Sequence, residues 1–135
     1  MPAETVRDVM HRGVVTCAPS TSLEEAVRIL SDSDIGALIV VGNAGQLLGT
    51  LSHLDILKHY GENLAERVVG EIMDAGALRV QEDTPLQAAI AMILNSRATR
   101  LVVTTSDADG LLPIGMLSTA DIIRHLRGAT WAWRW

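Results

Sequence analysis

Two short stretches hold the side chains best placed for chemistry: Gly49-Thr50-Leu51-Ser52-His53-Leu54-Asp55 and Gly115-Met116-Leu117-Ser118-Thr119-Ala120-Asp121. Each sets a hydroxyl, and three residues on a carboxylate, where an apolar strand gives way to a helix. Free backbone N–H groups at such a helix start carry partial positive charge and suit an anion. The serine hydroxyl can bond a phosphate oxygen, and the aspartate can accept hydrogen bonds from a vicinal diol such as that of a ribose. Each charge-assisted bond of this kind contributes about 1.5–3 kcal/mol. Ser-x-x-Asp is also an ordinary helix cap, with the serine capping and the acid in the first turn. Two features favour a ligand: the pattern recurs after the same Gly and Leu, and it sits where strand ends open, the usual ligand position in α/β folds.

Catalytic chemistry has little support. No Ser/His/Asp, Cys/His or carboxylate pair stands at a catalytic spacing, and no Walker-type loop is present, so the chain is read as no enzyme. The histidines, His11, His53, His59 and His125, form no i, i+3 or i, i+4 metal pair on a plausible helix face. His59 and His125 stand near expected helix ends, where a cation suits the dipole, and His53 lies inside the first motif as a candidate ligand contact. Cys17 is the single cysteine, which excludes an intrachain disulfide, reads as a buried structural thiol and points to a cytoplasmic setting. The net charge of −5, with scattered basic residues, argues against nucleic acid. The N-terminal residues lack the order of a signal peptide, and no apolar run approaches the ~20 residues of a membrane span.

The elements that position both motifs come from an internal repeat. A shift of 63 pairs Val6 with Val69, Met10 with Met73, Gly13 with Gly76, Leu23 with Leu86, Ala26 with Ala89 and Leu38 with Leu101. Past position 45 the shift is 66, pairing Gly49 with Gly115, Ser52 with Ser118, Asp55 with Asp121 and His59 with His125; the extra residues fall in the turn-forming Ser106–Gly110. Each copy reads as β-α-β-β-α, giving an α/β (α+β) fold of two pseudo-symmetric repeats, at 1–62 and 63–128, packed through their sheets with a cleft between them. In copy one the strands are Val14–Cys17, Ala37–Val41 and Leu47–Leu51. Thr21-Ser22-Leu23-Glu24 is a capping box opening a helix whose apolar face is Leu23, Ala26, Val27 and Leu30, and a second helix runs from Ser52 to about Tyr60. Copy two has strands at Leu101–Thr105 and Leu112–Leu117, a capping box at Thr84-Pro85-Leu86-Gln87, and a last helix at Ser118–Arg127. With no Phe and one Tyr, the core must be aliphatic; Met10 and Met73 read as packing residues that could also line a pocket.

The repeat resembles the cystathionine β-synthase-type (CBS) domain, and the tandem pair resembles a Bateman module. The likeness rests on Val6–Met10, Asp34–Val41, Gly49–Leu57, Val69–Met73, Arg100–Val103 and Gly115–Ile123, and spans Val6 to about Arg127. It implies a regulatory module with no tightly bound cofactor that takes AMP, ADP or ATP, or in some members S-adenosylmethionine or NAD. It implies that the Ser/Thr and Asp of the second helix contact phosphate and ribose, with adenine against strands of the partner repeat. On that basis Ser52, His53 and Asp55 would share a site with Ala77, Leu78, Thr99 and Arg100. Ser118, Thr119 and Asp121 would share one with Gly13, Val15, Ile35, Gly36 and Ala37. Because Arg100 faces Ala37 in the repeat alignment, and a guanidinium matches phosphate, the Asp55 site is expected to prefer a phosphorylated nucleotide and the Asp121 site a less charged adenosine derivative or nothing. The likeness further implies a homodimer, paired through the helices that follow Ser52 and Ser118, and an effector protein that reads the ligand-induced shift. The tail, 129–135, holds every tryptophan and reads either as a loose end or as an aromatic contact with a partner. The competing class is a structural or protein-interaction module with vestigial nucleotide pockets.

Overall fold

The computed structural model of the 135-residue chain describes residues 4–33, 35–105 and 112–127. The Trp-rich tail and the Ser106–Gly110 turn lie outside them. The elements in order are β1 (His11–Arg12), β2 (Thr16–Cys17), α1 (Leu23–Ser33), β3 (Ala37–Val41), β4 (Leu47–Ser52), α2 (His53–Leu57), α3 (Val69–Ile72), β5 (Arg79–Gln81), α4 (Leu86–Ser96), β6 (Arg100–Thr104), β7 (Pro113–Ser118) and α5 (Thr119–Arg127), with single 3-10 turns at Val6–Asp8 and Leu64–Glu66. The β-α-β-β-α order is as expected. The first strand of copy one is two short pieces instead of Val14–Cys17, and α2 stops at Leu57, short of Tyr60. No helix among the described residues is long and apolar enough to cross a membrane.

The chain falls into two compact units that cut across the sequence repeat. The first-corner unit is drawn from Val14–Ala77 and Leu111–Pro113; the second-corner unit is drawn from Met1–Gly13, Leu78–Gly110 and Ile114–Trp135. The lead segment of each repeat thus folds with the other repeat. Val6, fully buried, belongs to the aliphatic core of Leu86, Ala89, Ile93, Leu101, Val103 and Leu117. Its counterpart Val69, equally buried, belongs to the core of Leu23, Ala26, Leu30, Leu38, Val40 and Leu51. Burying a valine of this kind contributes about 1.5–3 kcal/mol, which ties each lead segment to its core.

Each unit builds its sheet the same way. In the first, β2 runs parallel to β3 (Thr16 opposite Ile39) and β3 antiparallel to β4 (Ala37 opposite Ser52), in the order β2-β3-β4. In the second, the order is β1-β7-β6-β5, with β5 parallel to β6 and β1 antiparallel to β7. The pairing of His11 with Met116 has its equivalent in an isolated bridge between Asp74 and Thr50. Strands β3 and β6 are buried along most of their length, as their unbroken apolar runs require.

Both first helices are capped differently from the sequence expectation. The hydroxyl that accepts from the α1 backbone is that of Ser22, bonded to the Glu25 N–H at 3.1 Å, not that of Thr21. At α4 no side chain caps, because the lead segment occupies the place: the Leu86 N–H donates to the Glu4 carbonyl, and the Val6 N–H donates to the Thr84 carbonyl. The α1 N–H of Leu23 donates in the same way to the carbonyl of Arg67, the repeat equivalent of Glu4. A capping-box pattern in sequence could not reveal that a carbonyl about 80 positions away in one case, and about 40 in the other, fills the same need of a helix N-terminus.

Candidate functional site: two strand–helix corners

In the first corner, Ser52 caps α2. Its N–H donates to Asp55 Oδ2 at 2.9 Å, its hydroxyl to the same oxygen at 3.0 Å, and the Asp55 N–H returns to Ser52 Oγ at 3.4 Å. The second corner repeats this: the Ser118 N–H donates to Asp121 Oδ2 at 2.9 Å and the Asp121 N–H to Ser118 Oγ at 3.1 Å. The capping role set beside the ligand role in the sequence is therefore built, twice. Each aspartate spends one carboxylate oxygen on its cap. What is left differs. Oδ1 of Asp121 accepts from Arg124, one helical turn on, and the Asp121 side chain is only 10% exposed. Oδ1 of Asp55 accepts no hydrogen bond from the described residues and stays available to a diol.

The glycine heading each corner is fixed by a crossing chain. A Cβ on Gly49 would stand 2.7 Å from the carbonyl oxygen of Asp74 and 3.1 Å from Met73 Sδ. One on Gly115 would collide with the carbonyl oxygen of His11 and with Met10 Cε. The two methionines therefore pack over the corners, each partly buried against its core, and neither glycine can gain a side chain without moving backbone.

The fifteen candidate residues divide by unit. Ser52, His53 and Asp55 share a unit with Ala77, and also with Val15, Ile35, Gly36 and Ala37; Ser118, Thr119 and Asp121 share theirs with Gly13, and also with Leu78, Thr99 and Arg100. Within the first unit, Ala37 is directly opposite Ser52, and the Val15 carbonyl accepts from the Ile39 N–H. Chain segment 74–77 reaches the same corner through paired Thr50–Asp74 backbone bonds. Within the second, the Gly13 N–H donates to the Ile114 carbonyl, the Leu78 carbonyl accepts from the Val102 N–H, and the Thr119 N–H donates to the Thr99 carbonyl. That last bond sets Thr99, and Arg100 at the start of β6, near Ser118; the sequence expectation groups both with Asp55, which lies in the other unit. Arg100 is half-buried and forms no salt bridge with the described residues. Arg124 was missed in the sequence, although the i, i+3 spacing of Asp121 and Arg124 on a helix carries that signal.

An apolar groove of about 520 Å³ lies in the first-corner unit between α1 and α2, lined by His53 but not by Ser52 or Asp55. Of the remaining histidines, His59 Nδ1 meets Glu62 Oε2 at 2.7 Å and His125 Nε2 meets Glu4, so each is tied to a carboxylate near a helix end. Burial pushes the Cys17 thiol up, against a smaller opposing effect of a hydrogen bond with Thr21, so it is no activated thiolate. No group of three or more metal-ligating side chains occurs among the described residues.

The family model described as CBS domain matches residues 6–62 and 69–128. The crystal structure of CBSX2 in complex with AMP superposes with a TM-score of 0.80 at 26% identity, covering 94% of this chain and 99% of that one. The CBS domain pair of protein MJ0100 in complex with 5′-methylthioadenosine and S-adenosyl-L-methionine gives 0.80 at 25% identity, covering 93% and 97%. Among sequence relatives, the uncharacterized protein MK0525 of Methanopyrus kandleri is 24% identical over 127 residues, 92% of this chain. The chain spans 63%, 16% and 23% of the first three curated relatives it matches.

Proposed function

We propose that this chain, which belongs to the CBS domain family in two consecutive copies, is a regulatory module that binds an adenosine-containing ligand at its strand–helix corners and performs no catalysis itself. The observation that carries the reading is the duplicated corner. Each unit fixes a serine and an aspartate at the start of a helix, beneath a glycine that a crossing chain will not let be replaced. Support comes from the relatives crystallised with AMP and with S-adenosyl-L-methionine and 5′-methylthioadenosine. A ligand bound better by one packing of the chain than by another shifts the population between them, and an effector protein reads that shift. We place this action in the cytoplasm, in a homodimer paired through the helices after Ser52 and Ser118.

Phosphate preference follows the cations. The sequence reading gave it to Asp55 by assigning Arg100 there. Arg100 shares a unit with Ser118 and Asp121, and Arg124 stands beside the same carboxylate, so we assign the phosphorylated ligand to the second corner. The first corner, with Ala37 opposite Ser52 and an open oxygen on Asp55, suits the uncharged diol of an adenosine derivative. One observation favours the alternative, an interaction module with vestigial pockets: both serine–aspartate pairs are already complete as helix caps.

A thermal-shift series with AMP, ADP, ATP, S-adenosylmethionine and methylthioadenosine separates the two. At a hundred times its dissociation constant a ligand stabilises by ~2.7 kcal/mol, a rise in Tm on the order of 10 °C. Asp55→Asn should abolish the shift with an uncharged adenosine ligand, and Asp121→Asn the shift with a phosphorylated one. No shift with any of the five would leave the interaction module standing.

A further inference from the structure

We propose that Arg97 sets how many phosphates the second corner prefers: it takes the outer phosphate of a nucleoside di- or triphosphate, while Arg100 takes an inner one. The inference deepens the reading above and rests on it. At positions aligned by the shift of 63, the first repeat has Asp34, Gly36 and Ala37 where the second has Arg97, Thr99 and Arg100. Two cations stand where the other repeat has an acid and a methyl group. Arg97 closes α4 at φ 58° and ψ 24°, and among the described residues it is the one non-glycine with a positive φ. Left-handed backbone presses Cβ against the following carbonyl oxygen, so helices that end this way usually take Gly or Asn there. The arginine side chain offsets nothing within the chain, since it is exposed and forms no ion pair with the described residues. A basic group at a helix end suits the dipole, but Asn95 and Ser96 are places in the last turn of α4 that would hold one without the strain. Residues kept in a sparsely populated conformation gather where ligands are held.

The backbone ties this arginine to the corner. Thr99 stands between Arg97 and Arg100, and its carbonyl accepts the Thr119 N–H at 3.0 Å, which fixes the turn after α4 to the opening of α5. Arg124 is spent on Asp121, whereas Arg97 and Arg100 have no acid partner among the described residues. A guanidinium group matches phosphate oxygens with two parallel hydrogen bonds. One such group satisfies a monophosphate, and a second, three residues away, has work only when a further phosphate follows.

The test is calorimetry with AMP, ADP and ATP on the full chain carrying Asp55→Asn, so that the second corner is read by itself. With Arg97 in place, ADP and ATP should bind more tightly than AMP; the reverse order overturns the inference. Arg97→Gly and Arg97→Asn are each expected to weaken ADP and ATP by about tenfold and AMP by less than about twofold, and added salt should shrink the difference. Both substitutions suit a left-handed residue, so the urea midpoint should hold or rise. Damage to the fold does not produce a weaker nucleotide preference together with an undiminished midpoint. Equal losses for the three nucleotides, or no loss for any, would remove Arg97 from the outer phosphate and leave the nucleotide site standing. A parent chain that binds none of the three overturns both the site and the inference.

Discussion

Across β3 and β4, Ser52 faces Ala37; at the matching end of β6, beside Ser118, stands Arg100. One helical turn past the aspartates the first repeat has Lys58, which forms no ion pair with Asp55, and the second has Arg124, which pairs with Asp121. Ser31 on α1 is matched by Leu94 on α4. Around these differences the two units agree closely: the buried leucine before each serine, the glycine under a crossing carbonyl, the lead-segment carbonyl on the first helix, the valine in the core. Positions that build the corner are held in common and positions around it have diverged. Duplication fixed a frame, and the surface around the frame decides charge and fit.

The largest effect should come from breaking the frame itself. Leu51→Ala and Leu117→Ala each empty a fully buried site in the strand leading to a corner. Each should cost about 2–5 kcal/mol in urea unfolding, and the two values should agree within about 1.5 kcal/mol if the units are equivalent scaffolds. A large loss at one and almost none at the other would break the comparison. The next effect sharpens the difference. Arg100→Ala should weaken binding of a phosphorylated adenosine ligand by roughly 10- to 100-fold, the worth of a charge-assisted bond of about 1.5–3 kcal/mol, with little change for an uncharged adenosine derivative. Ala37→Arg should confer phosphate preference on the first corner. Calorimetry with paired phosphorylated and unphosphorylated ligands reads both, and equal losses for the two ligands would remove Arg100 from the phosphate.

The repeat made much of this legible. Unbroken apolar runs gave β3 and β6, and helical spacing gave the buried faces of α1 and α4, with Leu23, Ala26 and Leu30 in one and Leu86, Ala89 and Ile93 in the other. The serine–aspartate corners fell where Gly-x-Leu-Ser placed them. Partners distant in sequence were not legible. Nothing local tells that Val6 packs with Leu101 or that Glu4 offers its carbonyl to Leu86, because backbone acceptors are common to all residues and carry no sequence signature. The bond from the Thr119 N–H to the Thr99 carbonyl is of the same kind, since no residue type announces it.

The smallest effect sets the two units side by side at acid pH. Glu82 is held below the ordinary glutamate value of 4.5 first by the hydrogen bond from Arg7, at 3.0 Å, with burial opposing and the charge of Arg7 and contacts of Arg12 adding. Glu62 is held below it first by the hydrogen bond with His59, again against burial, then by the charges of His59 and Arg67. A carboxylate lowered in the folded state binds its proton less readily there than in the unfolded chain. The stability it contributes is therefore complete above 4.5 and is lost as the pH falls through the folded value. The parent should lose stability between about pH 5 and about pH 3, and Glu82→Gln and Glu62→Gln should each flatten part of that slope. The Glu62 side chain is exposed and that of Glu82 only 17% exposed, so added salt should shrink the Glu62 difference more than the Glu82 one. Urea midpoints at about pH 6 and about pH 3.5, with and without about 0.5 M salt, measure this. An unaltered slope in Glu82→Gln would mean that Arg7 and Arg12 do not tie the lead segment to the turn after β5, leaving Val6 and the backbone bonds of that segment to hold it in the second-corner unit.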